Sequence, residues 1–550
     1  MSGLKRSKRF SSHGRKRKRR SNFPTLHPSL ILFNANIITM DASHPTAEAL
    51  AVLRDRIIDV GDSERIMELA GPKTKTIELR GKTILPGLID CHNHLVEFGL
   101  SLKTLDLRGA QSIHDLKDRI RARAGEYNDW ITGRGWDQEK FIEARYPTRY
   151  DLDETMSRKP IFLRRICGHV AVVNSAALER AGISSGTLDP LGGMIDRDSV
   201  GRPTGILRET AMDLVEEKVP SPTLDDYKAA SLAAFERALA AGLTTVHCIT
   251  SSKLELSALQ ELHGENKLPI RLYLFLPIHK LKSALQLGLR SGLGDDWLRI
   301  GGMKVYADGS LGARTAALNA PYHDDIQNRG ILTYKAEELE NLIAAAHRNG
   351  FQIAAHAIGD EAVRVLLGSF RKLRNSEKLR HRIEHASVLN PSLIEEISEL
   401  KLVVSVQPNF ITSDTWIDTR LGPERASYTY AFKTMKQMGV LTVAGSDCPI
   451  EPLSPLLGIC AAVDRSSAQA LTVNDAISLY TKNAAYASFE EHIKGTVKNG
   501  KLADLVVLEK DPREVPVSTI SQIQVLMTII GGKIAYRSSK LQQHDHKRLF

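Results

Sequence analysis

The sequence has few cysteines and no long apolar run. Its five cysteines include no C-x-x-C pair, and their odd number argues against a disulfide framework. No stretch reaches the ~20 consecutive apolar residues that a membrane-spanning helix needs. We therefore expect a reduced protein of the cytoplasm. No role is assigned to Cys91, Cys167, Cys248, Cys448 or Cys460.

Acidic residues are absent from the first twenty positions, which hold ten lysines and arginines. Since the formal net charge of the chain is +10, the remainder is formally neutral. A segment this basic cannot bury apolar surface, so residues 1–27 are predicted to be a disordered basic tail. The tail could bind polyanions or act as a nuclear-type address, or it could be an extension without a role. Apart from the tail, nothing indicates a nucleic-acid partner.

The first strand candidate also lacks a G-x-G-x-x-G fingerprint, which argues against a dinucleotide-binding fold. Three stretches instead have the same order of patterns: a helical pattern ends at a glycine, and an unbroken apolar strand follows. Strands that are apolar at consecutive positions are typical of a parallel sheet covered by helices. The glycines and strand ends are Gly242 with His247, Gly350 with His356, and Gly439 with Asp447.

Eight strand candidates alternate with helical patterns along most of the chain. Besides the three above, they lie at 83–90, 160–166, 299–308, 381–387 and 402–408. This alternation favours an α/β fold of the (β/α)8 TIM-barrel class over an open doubly wound sheet. The barrel is predicted to cover residues 84–490, with an insertion within about 100–240 that covers the barrel mouth.

Short β patterns separated by turn residues flank the predicted barrel at both ends of the chain. Gly500 and the glycines at 531–532 are expected to turn hairpins. Residues 28–83 and 491–537 are therefore predicted to form one composite β-sandwich beside the barrel. Residues 538–550 are predicted to be a C-terminal tail.

Polar side chains occur at the ends of several buried strands. His92 and His94 in PGLIDCHNHL are two residues apart, so both point the same way from a strand. The C-terminal ends of barrel strands converge on one face, where catalytic groups lie. Imidazoles and carboxylates are groups that Zn²⁺ binds. The candidates at strand ends are His92, His94, His356, His385 and Asp447, with Lys304 on a further strand.

Lys304 is an unusual candidate, because an ammonium group has no lone pair to give to a metal. Burial lowers the pKa of a lysine and makes the neutral amine more available. Reaction of this amine with CO2 would give a carbamate, an anion that can bridge two metals. The alternative is an ion pair between Lys304 and Asp308 near the strand end.

Five strings together resemble the amidohydrolase superfamily, most closely the YtcJ-like branch of amidohydrolase family 3: PGLIDCHNHL, KVYADGSLGARTA, AHAIGD, IEHAS and GSDCPIEP. The resemblance covers residues 28–537. It implies a metal site made of a strand-1 histidine pair, a carboxylated strand-4 lysine, the strand-5 and strand-6 histidines and a strand-8 aspartate. These positions fall on His92, His94, Lys304, His356, His385 and Asp447, without a departure.

The implied activity is metal-dependent hydrolysis of a carbon–nitrogen bond other than a peptide bond, in an amide, an N-substituted formamide or a cyclic amide. One or two divalent ions, most readily Zn²⁺, would lower the pKa of a bound water toward ~7 and give a hydroxide nucleophile. Asp447 is expected to act as general base and then general acid. The partner is predicted to be a small-molecule substrate. The number of metals and the choice between monomer and homodimer stay open.

Three further residues are weaker candidates for substrate contact. His169 follows a predicted strand and could contact the substrate or have a structural role. Arg314 could hold a substrate anion or brace its own loop, and bracing is favoured. Trp136 of the insertion, together with Arg134, could line a pocket or serve only in packing.

Two residues beside the predicted ligands are expected to support the site or to lie apart from it. His247 ends a strand at the same mouth and is a candidate for supporting the ligands from behind. Glu384 precedes His385, and since side chains alternate along a strand, it is expected to point away into a structural ion pair.

Three other functions compete with amide hydrolysis. A deaminase of the same superfamily would use a single metal and no strand-4 lysine, so Lys304 argues against it. A nucleic-acid-binding protein that acts through the basic tail would bind with an affinity that falls steeply as salt increases. Removal of residues 1–20 would abolish this salt-dependent binding. A metal-free binding protein on an enzyme scaffold is disfavoured by six intact ligand positions.

Overall fold

The centre of the fold is an eight-stranded parallel sheet that is nearly closed into a barrel. The computed structural model describes residues 26–126, 129–166, 168–465 and 468–540, so the predicted basic tail lies almost entirely outside the described residues. The predicted α/β barrel class is confirmed. The barrel strands, in chain order and in the same spatial order, are β1 Leu88–Asn93, β2 Leu243–Ile249, β3 Arg271–Pro277, β4 Leu298–Tyr306, β5 Gln352–Ala357, β6 Arg382–His385, β7 Val403–Val406 and β8 Leu441–Ala444.

The first and last barrel strands are joined just beyond their C-terminal ends. The backbone N–H of Asp447 donates to the carbonyl of His92 at 2.7 Å, and that of His94 donates to the carbonyl of Cys448 at 2.9 Å. These two bonds place the β1 and β8 ends side by side. The polar residues that follow each strand are therefore neighbours although about 350 residues separate them in sequence.

Glycines end helices in front of three of the strands. Gly242, Gly350 and Gly439 have φ values of 84°, 77° and 79°, the left-handed conformation in which a side chain is disfavoured. The strands that follow are buried along most of their length. One core, drawn from the strands and the surrounding helices, holds the barrel together.

Two strand assignments differ from the sequence prediction. Residues 160–166 do not form a barrel strand, because Ile161–Arg165 pairs with strands of the insertion. The missing barrel strand is β3, which begins two residues after Pro269, ends at Pro277 and is almost entirely buried. His247 therefore lies within the second barrel strand, two residues before its end at Ile249. The predicted strand 83–90 is divided at Gly87, whose N–H donates to Asp504, so that Thr83–Pro86 joins a flanking sheet.

The insertion after β1 is a six-stranded sheet with two apolar cores of its own. Its sheet begins at Leu105 and ends at Glu209, short of the predicted boundary near 240. The helix Leu224–Ala240 belongs to the barrel, because it packs on Leu95–Leu102, where Gly99 lies against the backbone of Ala230. The strands of the insertion are Leu105–Asp106, Ile131–Trp136, Ile161–Arg165, Val170–Val173, Gly193–Arg197 and Pro203–Glu209.

The two chain ends form a pair of sheets beside the barrel with a shared apolar core. The first sheet has the order Arg56–Gly61, Ala49–Leu53, Leu30–Phe33, Lys75–Glu78. The second has the order Lys533–Arg537, Val525–Ile530, Leu505–Leu508, Thr83–Pro86, Asn36–Ile38, Thr46–Ala47. Three strands from the C-terminal end and three from the N-terminal end therefore form one sheet, and the two groups meet where Leu505–Leu508 pairs with Thr83–Pro86.

Helices cover the outer face of the barrel and occupy several of its connections. None of the helices in the described ranges is long and apolar enough to cross a membrane. Outside the insertion and flanks they are Leu95–Leu102, Leu224–Ala240, Lys253–Gly264, Leu281–Gln286, Ala336–Arg348, Asp360–Arg371, Pro391–Glu399, Phe410–Ser413, Ile417–Ala426, Phe432–Gln437, Pro455–Val463, Val473–Leu479 and Lys482–Ala487. The others are Ser63–Met67, Ile113–Arg123, Arg149–Asp153, Ser175–Ala181 and Asp213–Glu216.

Candidate metal centre

The C-terminal ends of the barrel strands open into a cavity of about 510 Å³, which we call the central cavity. Its floor is formed by five of the six residues predicted as metal ligands. The sixth, Lys304, is fully buried, and its Nζ lies 3.5 Å from Nε2 of His92. The residues on the floor are His92, His94, His356, His385 and Asp447.

His92, His94 and Asp447 form the tightest group of donor atoms in the cavity. Oδ1 of Asp447 lies 3.3 Å from Nε2 of His92 and 3.4 Å from Nε2 of His94. The donor atoms of all three residues lie within 4.8 Å of one another. Asp447 follows β8 with a φ of 57°, and this turn of the backbone brings its carboxylate back over the strand ends.

The hydrogen bond on the far side of His92 fixes which of its nitrogens faces Asp447. Nδ1 of His92 lies 2.5 Å from Oε2 of Glu384, and a carboxylate can only accept. In the neutral ring the proton is therefore on Nδ1, and Nε2 turns a lone pair toward the carboxylate of Asp447. Two acceptors that face each other at this distance require either a proton or a metal ion between them.

His356 and His385 extend the group of donors across the cavity floor. Their ring centroids are 4.5 Å apart, and His385 lies 4.8 Å from His92. Nε2 of His356 donates to the carbonyl of Gly309 at 3.0 Å, which leaves the lone pair on Nδ1 free. Nδ1 of His385 is buried and has no hydrogen-bond partner among the described residues. A buried nitrogen of this kind is unfavourable unless a ligand satisfies it.

Burial keeps these two histidines uncharged. It lowers the pKa of His356 to about 3, and nearby Lys304 adds to the effect. Burial lowers the pKa of His385 well below its usual value, with a further contribution from His356. Neutral imidazole is the form that binds a metal, so the electrostatics agree with the donor geometry.

Glu384 was predicted to point away from the metal site, and this orientation is wrong. It does form the expected ion pair, with Arg382 at 2.7 Å, but it also contacts His92. The alternation of side chains ends at His385, whose φ is 73°, and Ala386 has a φ of 46°. Because the backbone leaves the extended conformation there, both Glu384 and His385 reach His92.

Two further buried groups hold the ligands from behind. Asp90 accepts hydrogen bonds from the backbone of His92 and of Ser446, and thereby joins the β1 and β8 ends. Nδ1 of His247 lies 3.0 Å from Nη1 of Arg382. His247 therefore reaches the ligands through Arg382 and Glu384, as its predicted supporting position requires.

The surroundings of Lys304 do not contain its predicted alternative partner. Asp308 accepts hydrogen bonds from the backbone N–H groups of Ala317, Ile358 and Gly359. Across the described residues, Lys304 makes no salt bridge, so the proposed Lys304–Asp308 pair is not formed. Burial lowers the pKa of Lys304 to about 8, although Glu384 and Asp447 oppose this shift.

None of the three predicted substrate-binding residues lines the central cavity. Trp136 is fully buried in a core of the insertion, where its indole N–H donates to Leu163, so it has no surface to offer a substrate. Arg314 braces its loop through Asp324 at 2.8 Å. His169 is exposed on the insertion and lies 3.0 Å from Glu209.

The walls of the central cavity come from loops of the barrel and not from the insertion. Aromatic and aliphatic side chains dominate, and the acidic residues Glu97 and Asp414 join them. No arginine or lysine is among the lining residues of the described chain. The insertion instead borders a second cavity of about 470 Å³, to which Arg134 contributes and which shares Glu97, Pro449 and Ile450 with the first. The apolar walls are Tyr306, Leu311, Ile358, Phe410, Trp416, Tyr430, Pro449 and Ile450.

A model of the amidohydrolase family matches residues 75–536. The chain belongs to this family. It is 35% identical to the Bacillus subtilis protein YtcJ, which is assigned as an amidohydrolase, over 92% of this chain and 98% of that protein. It is also 29% identical to the N-substituted formamide deformylase of Arthrobacter pascens, over 92% and 98% of the two chains.

The solved structure of a protein with a similar sequence has the same fold. An uncharacterised metal-dependent hydrolase from Pyrococcus furiosus superposes with a TM-score of 0.76 at 35% identity, covering 88% of this chain and all of the other. The predicted resemblance to the amidohydrolases is thus confirmed. The protein is an amidohydrolase-family hydrolase with a candidate metal site at His92, His94 and Asp447.

Proposed function

We propose that the protein hydrolyses a carbon–nitrogen bond other than a peptide bond, in an amide, an N-substituted formamide or a cyclic amide, and depends on a divalent metal. The observation that carries this proposal is the facing pair of acceptors, Nε2 of His92 and Oδ1 of Asp447, at 3.3 Å on the cavity floor. The similarity to an N-substituted formamide deformylase supports the bond type.

The residues that would hold the metal are the four histidines and the carboxylate whose donor atoms converge on the cavity floor. His92, His94 and Asp447 form the first site, and His356 and His385 provide two more imidazoles beside it. This mixture of neutral imidazole and carboxylate suits Zn²⁺. When bound, such a metal supplies Lewis-acid activation of a water and of the substrate carbonyl.

Asp447 is the group that moves a proton in this proposal. Burial raises the pKa of its carboxyl group, but without a metal a His92 ring protonated at both nitrogens, together with the hydrogen bonds that His92 and His94 donate, outweighs burial and holds this pKa well below its usual value. It is therefore ionised at neutral pH. The carboxylate oxygen that does not hold the metal would accept a proton from the attacking water and transfer it to the leaving nitrogen.

Lys304 is proposed to be carboxylated. The ammonium group of Lys304 would first lose one proton. The lone pair of the neutral amine would then attack the carbon of CO2, forming an N–C bond while one C–O π pair moves onto oxygen, and loss of a second proton from nitrogen would leave a carbamate anion where a buried cation had been. Its position 3.5 Å from Nε2 of His92 supports this assignment, as does the lack of a salt-bridge partner among the described residues. An anion there would join His356 and His385 in holding a second metal.

The central cavity favours an uncharged substrate with an apolar group. Its volume of about 510 Å³ is in the range of small-molecule sites. Its aromatic walls can pack against a ring or an alkyl chain. Glu97 and Asp414 would repel a carboxylate, and no basic side chain in the described lining is present to bind one.

Metal analysis of the purified protein, paired with hydrolysis assays, tests the proposed function. The panel should contain a neutral amide, an N-substituted formamide and a lactam, assayed before and after chelation and after return of Zn²⁺. We expect at least one metal per chain and amide or formamide hydrolysis that follows metal content. The proposal fails if the fully metal-loaded protein hydrolyses none of these compounds.

A further inference from the structure

The central cavity contains two tyrosines whose hydroxyl groups are in different situations. The hydroxyl of Tyr430 donates to the carboxylate of Asp414, and the residue is almost fully buried. Tyr306 is 42% exposed, and no hydrogen bond of its hydroxyl is found within the described part of the chain. One phenol of the cavity is thus committed to a neighbour, and the other is available to a ligand.

Tyr306 lies directly beside the candidate metal ligands. It is the last residue of β4, two positions after Lys304, so both side chains leave the strand on the same side. Nζ of Lys304 lies 4.9 Å from the centre of the Tyr306 ring, and the ring centres of Tyr306 and His356 are 5.4 Å apart. Because Lys304 is buried below and Tyr306 faces the cavity, the phenol occupies the layer in which the substrate would lie.

We propose that Tyr306 is a catalytic residue whose phenol O–H donates a hydrogen bond to the carbonyl oxygen of the scissile group. This inference rests on the proposed function. The proton stays on the phenol oxygen, so no bond of Tyr306 is formed or broken. As the carbonyl carbon is attacked, its oxygen gains negative charge and the hydrogen bond becomes stronger, which lowers the barrier.

The test compares Tyr306→Phe with the matched variant Tyr430→Phe, which also removes one hydroxyl from the same cavity. Both keep the aromatic ring, and metal content and circular dichroism confirm that each is folded and loaded. We expect Tyr306→Phe to lower kcat on the order of 10²-fold with KM changed by less than about threefold. Tyr430→Phe should act mainly on KM, because it releases Asp414 in the cavity wall.

A binding measurement separates a role in catalysis from a role in packing. Phenylphosphonate carries tetrahedral oxyanions, whereas benzamide has a neutral planar carbonyl. Tyr306→Phe should weaken phenylphosphonate binding at least tenfold more than benzamide binding, measured by calorimetry on metal-loaded protein. An equal loss for both ligands, or a kcat within threefold of the unaltered enzyme, would overturn the proposal.

Failure of this inference can be told apart from failure of the proposed function. The assays use 4-nitroacetanilide and the activated ester 4-nitrophenyl acetate, whose carbonyl needs the same oxygen donor. If the unaltered enzyme cleaves the ester but no amide or formamide, the proposed bond type is wrong, and the kcat comparison on the ester still decides the role of Tyr306. If it cleaves neither, the two-ligand binding comparison decides.

Discussion

Oε2 of Glu384 lies 2.5 Å from Nδ1 of His92, and both side chains are fully buried. Arg382 holds the same carboxylate from the other side, with donors at 2.7 and 3.0 Å. The guanidinium fixes the carboxylate, the carboxylate fixes the proton of the imidazole, and the lone pair on Nε2 is thereby directed into the cavity. Carboxylates that orient metal-binding histidines in this way commonly raise metal affinity.

Glu384→Gln is therefore expected to lower Zn²⁺ affinity about 10- to 100-fold. The amide can still accept from Nδ1, but it has lost the charge that makes His92 a stronger donor. Affinity would be measured by competition with a chelator of known strength. Because the variant also leaves Arg382 buried without its counter-charge, a loss of stability is expected as well.

Asp504→Asn is a matched control for that loss of stability. Asp504 forms another buried pair with arginine, at 2.6 Å from Arg271, on the sandwich side of the barrel. This variant should lower the unfolding temperature to a similar degree and leave Zn²⁺ affinity unchanged. Equal Zn²⁺ affinity in Glu384→Gln and the unaltered protein would contradict the role given to Glu384.

Lys304 should take up carbon-13 from labelled bicarbonate, and Lys304→Met should not. With its pKa lowered to about 8 by burial, a useful fraction of the amine is neutral near pH 7, and a carbamate signal in the carbon-13 spectrum reports the reaction. Lys494 provides the comparison, since it is also buried but pairs with Glu490 at 2.7 Å. Lys494→Met should keep the signal. A spectrum without any carbamate signal in the metal-loaded protein would remove Lys304 from the ligand set.

The sequence predicted the barrel and the strand-end ligands because both depend on short local patterns. An apolar run followed by a histidine or an aspartate identifies a strand end wherever it occurs. The choice between the runs at 160–166 and Arg271–Pro277 could not be made locally, since both are apolar strands and only long-range pairing decides which joins the barrel.

The directions of side chains at and beyond the strand ends also could not be predicted from local sequence patterns. Period-two alternation predicts opposite directions for Glu384 and His385, and positive φ values at His385 and Ala386 cancel it. Trp136 shows the same limit, because its burial depends on a core assembled from distant parts of the insertion. The aromatic walls of the cavity lie on loops whose paths no periodic pattern describes.

His381, at the opposite end of β6 from the metal site, is expected to make stability depend on pH. It is buried, accepts from the backbone of Ile353 and contacts His347 at 2.9 Å. Burial lowers its pKa to about 3 from 6.5, and His347 contributes. Below about 6.5 the unfolded chain binds a proton that the folded protein does not, so stability falls as the pH decreases toward 3, by about 1.4 kcal/mol per pH unit.

His381→Gln can replace both hydrogen bonds of the ring without titrating. Its free energy of unfolding should therefore fall less than that of the unaltered protein between pH 7 and pH 5, by about 2 kcal/mol. Urea unfolding of both proteins at the two pH values measures this difference. Equal pH dependence in the two proteins would show that His381 does not titrate as its burial predicts.

The charge of the cavity walls predicts discrimination between substrates of equal shape. Glu97 and Asp414 line the central cavity, and no basic side chain joins them in the described lining. A carboxylate on the substrate would lie within several ångströms of these groups, at a cost of about 1 kcal/mol in water-rich surroundings. An aryl amide with a para carboxylate should therefore have a kcat/KM about five- to tenfold below that of its neutral methyl ester.

Glu97→Gln should narrow the difference in kcat/KM between the carboxylated amide and its neutral methyl ester, and Glu97→Lys should reverse it. The Glu97 side chain is largely exposed, so a change of its charge does not require its surroundings to rearrange. Glu338→Gln removes an acidic charge from a remote surface helix and should leave the ratio of the two kcat/KM values unchanged.

Asp414 makes the discrimination against a carboxylated substrate depend on pH. Burial raises its pKa to about 6, with Glu451 adding to the effect, so its share of the discrimination is present above about pH 6 and is lost as the pH falls below that value. A carboxylated amide that is cleaved as well as its neutral ester at pH 8 would show that another group in the cavity neutralises the acidic walls.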